Sequence, residues 1–136
     1  MYDLIIIGGG PAGVAAAVYA ARKHLKTVLI AEEIGGQSTV SEGIENWIGS
    51  PKIHGRELAK LFKAHLDAVK GEFLELATGE RVMSLEKKAD GIFTAKTKSG
   101  KEFSTKALLI VTGAGRRKLD VPGADNFWMD VPHFIH

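Results

Sequence analysis

The chain has 136 residues, 45% of them apolar and 25% charged, with a formal net charge of +2. That is the size and balance of one globular domain able to bury a core. The charge is too small and too dispersed for a nucleic-acid partner, since the longest basic cluster is Arg116-Arg117-Lys118.

The chain has no cysteine, which excludes disulfides, cysteine–zinc sites and dithiol chemistry carried by these residues. The apolar run over residues 4–7 is too short for a signal segment and ends at once in glycine. No stretch approaches the roughly 18 apolar residues of a bilayer span. A soluble cytoplasmic protein without membrane contact is expected.

In chain order, residues 3–7 form a continuous β-branched run, the pattern of a parallel strand buried on both faces. Gly8-Gly9-Gly10-Pro11-Ala12-Gly13 follows as a turn, and the alanine-rich residues 14–23 predict a helix of small side chains. A second buried strand over 27–30 completes a βαβ unit. Residues 31–53 have little periodicity, and a loop that long inside a compact domain usually serves function. Leu58, Leu61, Phe62, Leu66 and Val69, at three- and four-residue spacing, predict an amphipathic helix with His65 on its apolar side. A third strand follows at 73–76. Three short segments at 81–86, 92–97 and 102–105 read as an antiparallel meander, its last two joined by Ser99-Gly100. Residues 107–111 read as a further buried parallel strand, ended by Thr112-Gly113. The order predicts a Rossmann-like three-layer α/β domain with a parallel central sheet and a small antiparallel β-meander.

The pattern Gly8-x-Gly10-x-x-Gly13 lies between a strand and a helix, the context in which it signals a dinucleotide site. Gly8 allows the tight turn, Gly10 lets backbone approach a pyrophosphate, and Gly13 permits close helix–strand packing. Pro11 suits the first helical position, where its missing N–H would have no partner anyway. Pro11 and Ala12 then open a helix whose free N–H groups and dipole face the phosphates. Glu32 lies nineteen residues after Gly13, where an acid can accept ribose hydroxyls, and Glu33 is its alternative. The five histidines show no metal-ligand spacing, so no metal is expected.

Beyond the turn, Gly35-Gly36-Gln37, Ile44-Glu45-Asn46-Trp47 and Thr112-Gly113-Ala114 followed by Val121-Pro122-Gly123 resemble the thioredoxin reductase family. The resemblance runs in register from Met1 to about Trp128. It implies that the dinucleotide is FAD, with Glu32 on the ribose and Gly36 and Gln37 lining the path toward the flavin. It also implies that Asn46 and Ser41 stand on the flavin side, that Val82 offers backbone contacts to adenine, and that Thr112 and Gly113 close over the adenosine half. Independently, the paired Gly35 and Gly36 let backbone approach a flat ligand closely. A polar, Asn-bearing loop can fix the orientation of an apolar cofactor body. Trp47 is expected to pack in the core.

Residues 1–128 are therefore expected to form an FAD-binding domain without the NAD(P)H domain and returning segment, followed by a divergent tail over 129–136. No catalytic side chain is expected among these residues. The expected function is the FAD domain of a pyridine-nucleotide-dependent flavin oxidoreductase, not competent for full turnover alone. NAD(P)H enters only in a complete enzyme. The resemblance implies a thioredoxin-like or peroxiredoxin redox partner, and a homodimer is open. Two alternatives stand beside it: a free-standing dinucleotide-binding module or half of a split enzyme, and the FAD domain of a cysteine-less relative that reduces ferredoxin or oxygen.

Overall fold

The structure, a computed structural model, describes residues 1–115 and Pro122. The opening βαβ unit comprises β1 (Tyr2–Ile7), α1 (Pro11–Arg22) and β2 (Thr27–Ala31). After the long loop come α2 (Gly55–Val69), β3 (Leu74–Thr78), β4 (Val82–Lys87), β5 (Phe93–Thr97) and β6 (Glu102–Ile110). All six strands join one sheet in the order β3-β2-β1-β6-β5-β4. The first four of that order are parallel, and β5 and β4 add antiparallel at the β6 side.

Two apolar layers hold the sheet, because strands buried on both faces must be covered on both. On one face Ile6, Leu29 and Leu74 meet Val14, Ala17 and Val18 of α1 and Leu58, Phe62 and Leu66 of α2. On the other face Ile5, Ile7, Val28 and Ile30 cluster with Ala95 and Phe103 from β5 and β6. The three layers are thus helices, parallel sheet and meander, with both α-helices on the same side. Alanine dominates the buried stripe of α1 because this helix lies close against the strands, and larger side chains would hold it away. Its one large ring, Tyr19, points outward.

Two expectations are corrected by tertiary contacts. The segments at 102–105 and 107–111 are not separate strands. They belong to β6, which exchanges partners along its length. Phe93 and Tyr2 both pair with Thr105, the residue where the antiparallel contact with β5 gives way to the parallel contact with β1. Lys106, which looks like a break in the apolar pattern, instead continues the strand and donates to Asp3 at 3.0 Å. Likewise His65 is exposed rather than packed in the core, and Leu61 is 57% exposed. The packed stripe of α2 runs along Gly55, Ala59, Phe62 and Leu66, flanked by Leu58, which turns Leu61 and His65 toward solvent.

The long loop has structure of its own. A 3-10 helix spans Gly36–Val40, and bridges at Ile44↔Ile53 and Trp47↔Ser50 form a small antiparallel excursion. Trp47 is half-buried and meets Phe62 edge-on, with ring centroids 5.1 Å apart, in keeping with a packing role.

Leu66→Ala should lower stability by about 2–5 kcal/mol, the range for truncating a fully buried leucine. Leu61→Ala should change it by less than about 0.5 kcal/mol, as for most surface positions. Urea unfolding of the two variants checks the assigned face of α2.

Candidate functional site

The parallel strands β1, β2 and β6 end at one rim, and a cleft of about 730 Å³ opens there. Its volume falls within the roughly 300–1,000 Å³ range of small-molecule and cofactor sites. Gly8, Gly10, Pro11 and Ala12 form one wall. Gly8 has φ +123°, and a Cβ there would stand 2.2 Å from the carbonyl oxygen of Val111, just past the end of β6. A Cβ on Gly13 would lie 1.9 Å from the Gly8 carbonyl oxygen, so α1 can start against the turn only with hydrogen at that position. Gly13 therefore supports the cleft without lining it. Gly10 differs, because a Cβ there meets nothing within 4 Å. That bare backbone faces open cleft.

The N-terminus of α1 reaches the same space with no side-chain cap and no acid in its first turn among the described residues. Gly10 is its N-cap, and Pro11 occupies the first turn. The N–H groups of Ala12 and Gly13 consequently lack helical acceptors, and the positive end of the helix dipole points the same way. This donor set suits a phosphate or pyrophosphate.

Glu32 and Glu33, just past the end of β2, both line the cleft. Glu32 is largely exposed, and its Oε1 lies 3.9 Å from Nη1 of Arg81. Gly36 and Gln37 line it from the 3-10 helix, which is tied to the glycine turn by the Gly35 N–H donating to the Gly9 carbonyl at 2.8 Å. Val82, Thr112 and Gly113 complete the part of the lining that the sequence indicated.

Three expected residues stand elsewhere. Gly35 packs beneath α2, where a Cβ would come within 2.6 Å of the Ala59 Cβ. Ser41 donates its hydroxyl to the Gly43 carbonyl at 3.3 Å, while its own carbonyl accepts the Gly55 N–H. Asn46 is exposed on the small excursion between Ile44 and Ile53. None of the three is among the cleft-lining residues. Val121, Gly123 and the tail over 129–136 lie outside the described residues, as do His133 and His136. Among the described residues there is no group of three or more potential metal ligands.

Gly9 of the predicted turn also lines the cleft, as do Ser38, Glu80 and Arg81, which sequence reasoning passed over. Glu80 is buried. Its carboxylate oxygens lie 2.9 and 2.7 Å from the Ser99 hydroxyl, and Lys101 Nζ is 2.9 Å away. The Lys101 ammonium, then the Ser99 and Thr97 hydroxyls, pull its pKa from the ordinary 4.5 down to about 2. The turn around it is stapled to the end of β2. The Gly79 N–H donates to the Glu32 carbonyl at 3.2 Å and the Glu80 N–H to the Ala31 carbonyl at 3.3 Å. No local signal marks Glu80, because its partners Thr97, Ser99 and Lys101 are seventeen to twenty-one residues further on.

A parallel sheet that ends in a glycine turn, an uncapped helix and an acid after the second strand defines a dinucleotide-binding protein. The model of the pyridine nucleotide-disulphide oxidoreductase family matches residues 2–135, and the chain belongs to that family. It is 40% identical over 124 residues to an alkyl hydroperoxide reductase subunit of Staphylococcus aureus, a match covering 91% of this chain and 24% of that protein. Against the corresponding Escherichia coli protein it is 36% identical over 126 residues, covering 93% and 24%. Among solved structures, Lactococcus lactis thioredoxin reductase superposes with a TM-score of 0.83 at 37% identity, covering 93% of this chain and 40% of that one. Thioredoxin reductase of T. acidophilum does so at 0.80 and 32% identity, covering 94% and 40%. The chain thus spans about a quarter of the length of these alkyl hydroperoxide reductase proteins and two-fifths of these thioredoxin reductases. It is the FAD-binding domain of a thioredoxin reductase-like protein, and FAD is its dinucleotide. No described helix is long and apolar enough to cross a membrane.

Glu80 has a folded-state pKa below its unfolded value. The stability it contributes is therefore complete above about pH 4.5 and disappears as pH falls through about 2. Wild type should melt above Glu80→Gln at pH 5 and above, and the two melting curves should converge near pH 2. Calorimetric scans across that range provide the check.

Proposed function

We propose that the cleft holds the adenosine diphosphate half of FAD, with pyrophosphate against Gly8, Gly10, Pro11 and Ala12 and the ribose hydroxyls on Glu32. The single observation behind this reading is that the uncapped start of α1 and the Glu32 carboxylate open into one cleft. Gly13 acts from behind by keeping α1 close. Glu33 flanks the ribose position, and Val82, Thr112 and Gly113 border the adenosine side. Gly35, Gly36 and Gln37 carry the chain along the remainder of the cofactor, toward Ser41 and Asn46 on the flavin side. The glycine cradle supports the fit, since the wall at Gly10 is backbone with open space before it.

Bound flavin supplies two-electron redox chemistry, and the residues of this domain bind it, orient it and set its electrostatic surroundings. Glu32 accepts hydrogen bonds while ionised, and the α1 terminus offsets the pyrophosphate charge. No cysteine occurs among these 136 residues, so this domain contributes cofactor binding and not a dithiol. We assign residues 1–128 to the FAD-binding unit. In the complete protein we place the unit in an NAD(P)H-dependent oxidoreductase that passes electrons to a thioredoxin-like or peroxiredoxin partner in the cytoplasm. The thioredoxin reductases and alkyl hydroperoxide reductase proteins among its relatives support that assignment.

Titration calorimetry with FAD, ADP and FMN tests the site. The chain should bind FAD and ADP, and Glu32→Ala should weaken both about tenfold or more. That is the scale of losing hydrogen bonds to an ionised acceptor, about 1.5–3 kcal/mol. FMN, which lacks adenosine, should bind the variant as it binds wild type. ADP binding unchanged by Glu32→Ala would refute the assignment.

A further inference from the structure

We propose that Arg81 is an adenine-capping residue, its guanidinium stacking on the base of the bound adenosine while Glu32 holds the ribose. The inference rests on reading the cleft as the adenosine site of FAD. Direction along the cleft carries it. Phosphates belong at the start of α1 and ribose at Glu32, so the base is the next group of the ligand. The protein beyond Glu32 is the turn that carries Arg81 and Val82, both of which line the cleft.

That turn has a fixed base and a free tip. Its backbone is held by the Gly79 and Glu80 N–H groups on the end of β2, and the Lys98 N–H donates to the Arg81 carbonyl at 2.8 Å. The buried Glu80 carboxylate, held by Ser99 and Lys101, locks the same turn from beneath. The Arg81 side chain, by contrast, is 65% exposed, and the nearest carboxylate among the described residues stands 3.9 Å away on a similarly exposed Glu32. An exposed pair at that separation contributes little to folding. What the geometry does provide is a planar cation poised at the cleft mouth, next to the acid that orients the sugar. A guanidinium is flat and weakly hydrated and stacks on aromatic faces, whereas an ammonium is a compact, strongly hydrated point charge. Glu32 on one side and Val82 on the other would keep that plane over the sugar–base junction.

The test uses the 136-residue chain and calorimetric titration with FAD, ADP and FMN, with melting temperature as the folding control. Arg81→Ala should weaken FAD and ADP about tenfold, the scale of one base-stacking contact, and leave FMN binding and the melting temperature unchanged. Arg81→Trp, flat but uncharged, should retain near-wild-type ADP affinity, while Arg81→Lys should be as weak as the alanine variant. Full affinity in Arg81→Lys with loss in Arg81→Trp would overturn stacking in favour of simple charge. Wild-type binding of FAD and ADP matched by Arg81→Ala would remove Arg81 from the site. Failure of the wild type to bind either FAD or ADP would instead sink the adenosine reading of the cleft itself.

Discussion

The close seating of α1 on the end of β1 is the constraint on which the rest depends. Only 1.9 Å separates the position of a Gly13 Cβ from the Gly8 carbonyl oxygen, and a Gly8 Cβ would strike the carbonyl of Val111 at 2.2 Å. Two hydrogens in place of two side chains let the helix, the turn and β6 converge. The convergence aims the free N–H groups of α1 into the cleft. It also explains the alanines at 17, 20 and 21, whose small size lets the helix lie near the strands over its whole length. A larger residue at either glycine would move the helix start, and both cleft wall and core would move with it.

A second joint fixes the other end of the cleft. The turn between β3 and β4 is bonded through backbone to Ala31 and Glu32 at the end of β2, and through Glu80 to Ser99 and Lys101 at the turn between β5 and β6. Glu80 is buried yet ionised, and its charge is matched by an ammonium and by hydroxyl donors rather than left unpaired. The meander therefore does more than cover the second face of the sheet through Ala95 and Phe103. It holds the cleft wall formed by Glu80, Arg81 and Val82. The cleft wall and the sheet architecture are coupled at this joint, so changes in the distant turn at Ser99 bear on the cleft.

The mixed sheet follows from the dual pairing of β6. Its first residues belong to an antiparallel arrangement and its last to a parallel one, and Thr105 serves both neighbours while fully buried. Its hydroxyl is satisfied by donating to the Ala107 carbonyl at 2.9 Å. A threonine can be buried at such a junction because it closes its own hydrogen bond locally. The strand thereby passes between partners without an orphaned polar group.

By itself the amino-acid sequence determined the βαβ unit, the glycine turn, the acid at the end of β2 and the class of ligand. Each of these depends on chemistry within some thirty residues: apolar runs, a glycine spacing and a helix start. The buried faces of β1 and β2 and the position of Glu32 were legible for that reason. Tertiary structure alone decided that residues 102–110 are one strand, because Lys106 interrupts the apolar pattern while its backbone continues the ladder. It decided that His65 and Leu61 face solvent, because the stripe of α2 is set by what Phe62 and Leu66 meet on the sheet. It also decided the surroundings of Glu80 and Arg81, whose partners come from a distant turn and from the end of another strand. A glutamate and an arginine in a turn read as solvated charges until the fold brings Ser99, Lys101 and Glu32 to them. Local patterns record what a segment must become, whereas a site wall assembled from several chain ends is recorded only in their meeting.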